Sequence, residues 1–300
     1  MDEGGKFVVT GLLHIDAKSV KPTTHTSNGY IVINGLRLNV EGFDNVYTTK
    51  DGAAQKWVIG NGGISGIGGI WCLSNSNNDS TFQPNTSDFT VDVWTVIRSN
   101  VDSHKLLTTG FGDAHPHVIT LNGGFSDNGK VIVAGTGKVV VNHVTEAYGG
   151  KGAYSGSVTV TDTATLAINA GKKLTSGEIT IASGAAFEVA QSGTVDLDGN
   201  LTLQDGAILA FNFSRATTPS LNINGKTITA PSTVKIRISS KEKVHPRGGL
   251  HFLTTGGGFL GRTLAPADGE YPKWVNSISV NDDGNIVADM EPAGLYISIR

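Results

Sequence analysis

Cysteine occurs once, as Cys72, which excludes a disulfide framework and any zinc site built on thiolates. Charge is scarce too. Charged residues make up 16% of the 300-residue chain, against about 25% in ordinary globular sequences, and the formal net charge is only -3. That balance fits neither a basic face for nucleic acid nor disorder driven by charge. Apolar runs are short: none approaches the roughly 18 residues of a membrane-crossing helix. The opening Met1-Asp2-Glu3-Gly4-Gly5 has no basic or apolar leader region, so it predicts no signal peptide. A cytoplasmic protein, or a mature fragment with an added Met, would begin this way. Helical signals are missing as well. No stretch of a dozen residues combines apolar positions at i, i+3, i+4 and i+7 with a cap.

What fills the gap is Gly, Thr, Ser and Asn. There are 40 glycines, about 13% of the chain and roughly twice the usual share. Between them lie short segments of alternating apolar residues, the mark of half-buried strands. From residue 158 these fall into register. One series runs Val158/Val160, Ile179/Ile181, Leu201/Leu203 and Leu221/Ile223, with steps of 21, 22 and 20 residues. A second runs Leu166/Ile168, Phe187/Val189 and Leu209/Phe211, with steps of 21 and 22, and a thinner third links Leu174 to Val195. Three short strands in about 21 residues are too tightly connected for helical crossovers and too regular for a sandwich. The arithmetic predicts an all-β parallel β-helix, in which each turn of chain stacks on the last. A meander of hairpins also spaces strands evenly, but it does not require a period of three.

The organisation expected is therefore an irregular, β-rich N-terminal capping region over 1–120, a β-helix over 121–240 and a β-rich end of the same solenoid over 241–300. Strand candidates in the first region are Phe7 to Val9, Tyr30 to Ile33, Leu36 to Val40, Trp57 to Ile59, Phe89 to Ile97 and Val118 to Leu121. Residues 74–87 read as a polar, Asn-rich loop around Pro84. Residues 60–69, rich in Gly but carrying Ile64 and Ile67, read as a packed turn. Charge around 241–249 interrupts the strands, residues 249–259 read as an apolar, hairpin-like stretch, and further strands are expected near 275–280, 286–288 and 295–299.

Residues 128–169, "NGKVIVAGTGKVVVNHVTEAYGGKGAYSGSVTVTDTATLAIN", resemble the passenger-associated transport repeat, also called the autotransporter-associated β-strand repeat. Gly129, Gly135, Gly137, Tyr154, Gly156, Val160 and Leu166 fall on that family's positions, while Ala164 stands where Gly is usual. Downstream segments to residue 300 look like the passenger region of the same family. The resemblance implies a right-handed parallel β-helix, displayed at the cell surface or secreted, without catalytic residues and often followed by an outer-membrane barrel. In a full-length protein it implies outer-membrane association. The function expected is a bacterial, non-catalytic stalk or adhesin-like scaffold, with surface glycans or host and environmental macromolecules as partners and no cofactor.

Several residues invite a chemical reading. His115 and His117, two apart on an extended segment beside Asp113, have the spacing of a metal-ligand pair. No third ligand is near in sequence, so a solvated turn around Pro116 is the expectation and no metal is assigned. Clustered carboxylates serve polysaccharide-degrading β-helix enzymes, and Asp88, Asp92, Asp196 and Asp198 are the candidates. Asp196 and Asp198 flank Leu197, so both project outward if Val195 and Leu197 point in. Together with Trp57 and Trp94, whose rings offer apolar faces to a sugar, they form the ligand-binding set of the rival reading, a carbohydrate-binding or polysaccharide-degrading protein. Core or cap packing is the simpler role for all four tryptophans, Trp71 and Trp274 included. Cys72 reads as a small buried hydrophobe. The Gly-rich runs lack the Lys-Ser/Thr of a phosphate loop.

Overall fold

The computed structural model describes residues 80–92, 94–97, 103–143, 154–172, 176–190, 193–197, 199–214, 218–240 and 248–291, with only strands described before residue 80. Those residues contain strands and turns and no helix, hence no helix long and apolar enough to cross a membrane.

The strands pair in parallel over most of the chain. An eleven-stranded sheet runs from Lys6–Val9 to Thr263–Pro266, and a nine-stranded sheet from Tyr30–Ile33 to Ile228–Thr229. A five-stranded sheet spans Leu13–Asp16 to Phe125–Asp127, and a three-stranded one joins Thr194–Asp196, Ser220–Asn222 and Thr254–Thr255. Consecutive strands visit different sheets. Phe89–Val91 belongs to the eleven-stranded sheet, Trp94–Ile97 to the five-stranded and Ser103–Leu107 to the nine-stranded, after which Val118–Leu121 returns to the first. What the sequence presents as one candidate strand, Phe89 to Ile97, is thus two strands in two sheets with a corner between them.

Alternation explains the core. Inward residues stack in columns, Phe89, Ile119, Val139, Leu166, Phe187, Leu209 and Ile236 being register partners from strand to strand. In the nine-stranded sheet His104, Val131, Val158, Ile179 and Leu201 do the same. The apolar faces of the sheets meet in one continuous core. Outward positions carry a second kind of column: Thr159, Thr180, Thr202 and Thr229 face one another in register. β-Branched side chains suit such a pleated, half-solvated surface.

Turns of equal length hold the columns in step. Residues 161–164, 182–185 and 204–207 each join the nine-stranded to the eleven-stranded sheet, and each closes with a backbone bond from its last N–H to its first carbonyl. Ala164, Ala185 and Ala207 occupy the buried last position. At Gly156 a Cβ would overlap the Gly129 carbonyl oxygen and the Tyr154 ring. Gly135, with φ +97, adopts a conformation that favours glycine.

Four expectations change. The strands described before residue 120 do not form an irregular cap: they are ordinary members of the same parallel sheets. The reading of 74–87 as loop misses Ser80–Pro84, a strand whose Phe82 is fully buried, with proline at its end. Leu221 does not follow Leu201. Leu201 faces Ile228, and Leu221 faces Val195 in the three-stranded sheet. Lastly, Gly249–Phe252 is not half of a local hairpin but pairs antiparallel with Ile286–Met290, which also pairs antiparallel with Val275–Val280. This antiparallel sheet contributes Ile286, Ala288 and Met290 to the common core. The strand expected at 295–299 lies outside the described residues, as does Leu174.

Candidate functional site

Asp196 lies where alternation places it, on the outward face of Thr194–Asp196, but its carboxylate is engaged. Asn222, its register partner in the next strand, donates from Nδ2 to Asp196 Oδ1 at 2.9 Å, and Asn224 Nδ2 donates to the same oxygen at 3.2 Å. Asn222 Nδ2 also donates to Asn224 Oδ1 at 2.7 Å, and Thr255 Oγ1 donates to Asn222 Oδ1 at 3.3 Å. The cluster ties three successive strands. Asp198 lies outside the described residues, so the expected carboxylate pair has only its first member on view.

A longer ladder of the same type was not anticipated. Asn169 donates to Asn142 at 3.3 Å, Asn142 to Asn122 at 2.9 Å, and Asn122 to the Asp92 carboxylate at 2.7 Å. Asn142 and Asn122 each donate to the residue before and accept from the one after, so the bonds polarise one another and terminate on an anion. Its sequence signal is an Asn or Asp at the end of four successive strands of the eleven-stranded sheet, in "VDV", "LNG", "VNH" and "INA". That signal means something only once the register is known.

His117 sits at 11% side-chain exposure between two carboxylates. Its Nδ1 lies 3.3 Å from Asp88 Oδ1 and its Nε2 3.0 Å from Asp113 Oδ2. Asp113 also accepts the His115 backbone N–H at 3.0 Å, and this bond above all holds its carboxyl below the ordinary range; the small opposing push comes from burial, with His117 reinforcing the lowering. Asp88 accepts the Val118 N–H at 2.8 Å. Both imidazole nitrogens face carboxylate oxygens, so the ring bridges two turns and neither nitrogen is turned toward an open ligand position, and His115 stands exposed. Gly110 makes this possible, because a Cβ there would overlap the Asp113 carboxylate. Among the described residues no group of three or more His, Cys, Asp or Glu side chains is placed to hold a metal. His104, eleven residues before His115 in sequence, is buried with its ring 4.4 Å edge-on from Phe82.

The eleven-stranded sheet carries charge on its outer face in alternating sign. Lys138 Nζ lies 2.7 Å from Glu188 Oε2, and Arg237 grips Asp268 through two bonds of 2.9 Å. Glu188 stands in register between Ala167 and Ala210, and Ala210 faces Arg237. Long charged side chains so placed roof the alanines, which explains why Ala186–Ala190 is buried at every position despite pointing alternately in and out. The Arg237 guanidinium lowers the Asp268 carboxyl below its ordinary value, and Asp268 raises Arg237 in turn. A depressed folded-state value stabilises above the unfolded value of about 3.9 and is lost as pH falls through it. Asp268→Asn should therefore lower the melting temperature slightly near neutrality, by under about 1 kcal/mol for so exposed a pair. The difference from the unsubstituted chain should fade below the unfolded value of about 3.9 and vanish once pH has fallen through the lowered folded-state value as well. A gap that persists unchanged into acid would contradict the assignment.

Trp94 is half-buried, its ring 4.7 Å from that of His143 and in the space a Cβ on Gly124 would need. Trp274 packs edge-on to Phe213 at 5.7 Å. Both are used in packing. Trp57 lies in Gln55–Ile59, Trp71 and Cys72 in Gly69–Cys72, and their side chains are outside what is described. Of the expected ligand-binding set, Asp196 and Trp94 thus have partners of their own, while Asp198 and the Trp57 side chain lie outside what is described. Comparison of the chain with family models, with curated proteins and with solved structures returned no match.

Proposed function

We propose that the chain is a closed, right-handed parallel β-helix serving as a non-catalytic scaffold, a passenger-type stalk that is secreted or displayed on a cell surface. One observation carries the reading: the outward polar side chains are engaged with each other from strand to strand. The Asn ladder ending on Asp92, the Asn222 and Asn224 amides on Asp196 and the Arg237–Asp268 pair link successive layers, and the Lys138–Glu188 pair reaches across an intervening strand. A binding or catalytic surface keeps such groups convergent on an absent ligand. Rotation of the strands through the sheets around one core supports closure, and the usual hand of parallel crossovers supports right-handedness. The repeat resemblance at Gly129, Gly135, Gly137, Tyr154 and Gly156 supports the passenger assignment, with surface glycans or environmental macromolecules as the partners of a full-length protein.

Eleven strands at about 4.8 Å spacing give a rod about 50 Å long. Small-angle scattering of the purified chain should therefore show an elongated particle, and incubation with neutral and acidic polysaccharides should release no new ends. An isometric particle would sink the β-helix. Turnover that disappears in Asp196→Asn, with melting unchanged, would replace the scaffold by an enzyme.

A further inference from the structure

Three Asn-Gly pairs are described, and the fold treats them differently. Gly123 and Gly129 are buried, and their N–H groups donate to Val91 O at 3.0 Å and Ile97 O at 2.8 Å. Gly225 is exposed, sits at φ +70 with open space where a Cβ would lie, and its N–H has no acceptor among the described residues. The preceding Asn224, at φ +52, has its side-chain carbonyl polarised by the Asn222 donor at 2.7 Å and its amide nitrogen 3.2 Å from Asp196.

We propose that Asn224–Gly225 is a site of spontaneous deamidation, the reactive one of the three described pairs. The Gly225 nitrogen, on losing its proton, attacks Asn224 Cγ. The new N–Cγ bond forms as the Cγ–Nδ2 bond breaks, and Nδ2 leaves as ammonia after taking up that proton. Water then opens the five-membered imide at either carbonyl, giving aspartate or isoaspartate. No electron changes hands and water is the only co-reactant. At Gly123 and Gly129 the attacking nitrogen is tied to a carbonyl of the preceding layer, so reaction there waits on local opening of the stack. At Gly225 the attacking nitrogen has no such tie to break, and only the exposed side-chain bonds of Asn224 to Asn222 and Asp196 have to give. The product sets a second carboxylate against Asp196, where an amide donor stood, and so turns a cross-strand tie into a repulsion.

The test compares the intact folded chain with the same chain in urea, both held in mildly alkaline buffer, by peptide mapping for amide-to-acid conversion and isoaspartate at each pair. Unfolded, the three pairs should convert at similar rates. Folded, Asn224 should keep a rate close to its unfolded one, while Asn122 and Asn128 slow by on the order of tenfold or more. Asn224 slowed as much as the other two, or either of them converting faster than it, would overturn the proposal. Gly225→Ala, which has room for its methyl although φ +70 strains it, should slow conversion at Asn224 alone, and conversion undiminished in that variant would also count against it.

Discussion

Leu201→Asp should abolish cooperative folding at ordinary temperature, while Thr202→Asp, the next residue on the same strand, should cost under about 1 kcal/mol. Leu201 is fully buried between Ile179 and Ile228 of the neighbouring strands. Truncating such a leucine already costs about 2–5 kcal/mol. A carboxylate left in its place adds several more, or takes up a proton to escape the cost. The sum is comparable with the whole stability of a typical domain, about 5–15 kcal/mol. Thr202 faces outward, with its hydroxyl 3.5 Å from Glu178 Oε1. A new carboxylate there meets Glu178, but in water, where such repulsions are weak. Thermal unfolding followed by circular dichroism decides the matter, since equal midpoints for the two variants would invert the inward face assigned to this strand.

Tyr154→Ala carries the second large effect, a loss of about 3–5 kcal/mol. The side chain is completely buried, its ring 5.6 Å from that of Phe125. Its hydroxyl is shared between the carbonyl oxygens of Gly129 and Ser157, each at 2.8 Å. Burial raises its phenol far above the ordinary range, so it acts as a neutral donor at every pH the fold survives. Tyr154→Phe keeps the ring and leaves those carbonyls short of a donor, a cost of about 1–3 kcal/mol. Denaturant titration should rank the chain above Phe and Phe above Ala. A Phe variant as stable as the original would assign the hydroxyl no role. One layer on, Ser176 repeats the device with Gly156 O at 3.0 Å and Glu178 O at 2.8 Å.

Leu166, Phe187 and Leu209 were legible as a column because the turns before them have one length, so a constant period finds the true partners. The same assumption misleads wherever a turn is longer. Leu201 to Leu221 is a step of 20 that fits the period, yet the real partner is Ile228, a step of 27. Register steps in the eleven-stranded sheet vary from 20, between Val118 and Lys138, to 31, between Lys6 and Arg37. Before residue 120 the individual strands could therefore be read, but not their membership of common sheets. Side-chain ladders were hidden for the same reason. That Asp196 points outward follows from alternation alone, whereas its partners Asn222 and Asn224 come from 26 and 28 residues downstream. Glu188 reads as a solvated strand residue until Lys138, 50 residues earlier, is brought beside it.

A stack of parallel strands ends in a row of backbone donors and acceptors, an invitation to aggregation. The final strand of the eleven-stranded sheet, Thr263–Pro266, places Pro266 opposite Ile236. Proline has no N–H to offer a twelfth strand. Beside it the antiparallel sheet has already plugged the interior with Ile286, Ala288 and Met290. An incoming chain would find one rung of the ladder missing and, among the described residues, the interior beside it already filled. The repetition that lets the molecule add layer upon layer within itself is thereby kept from running on into a fibre at this end.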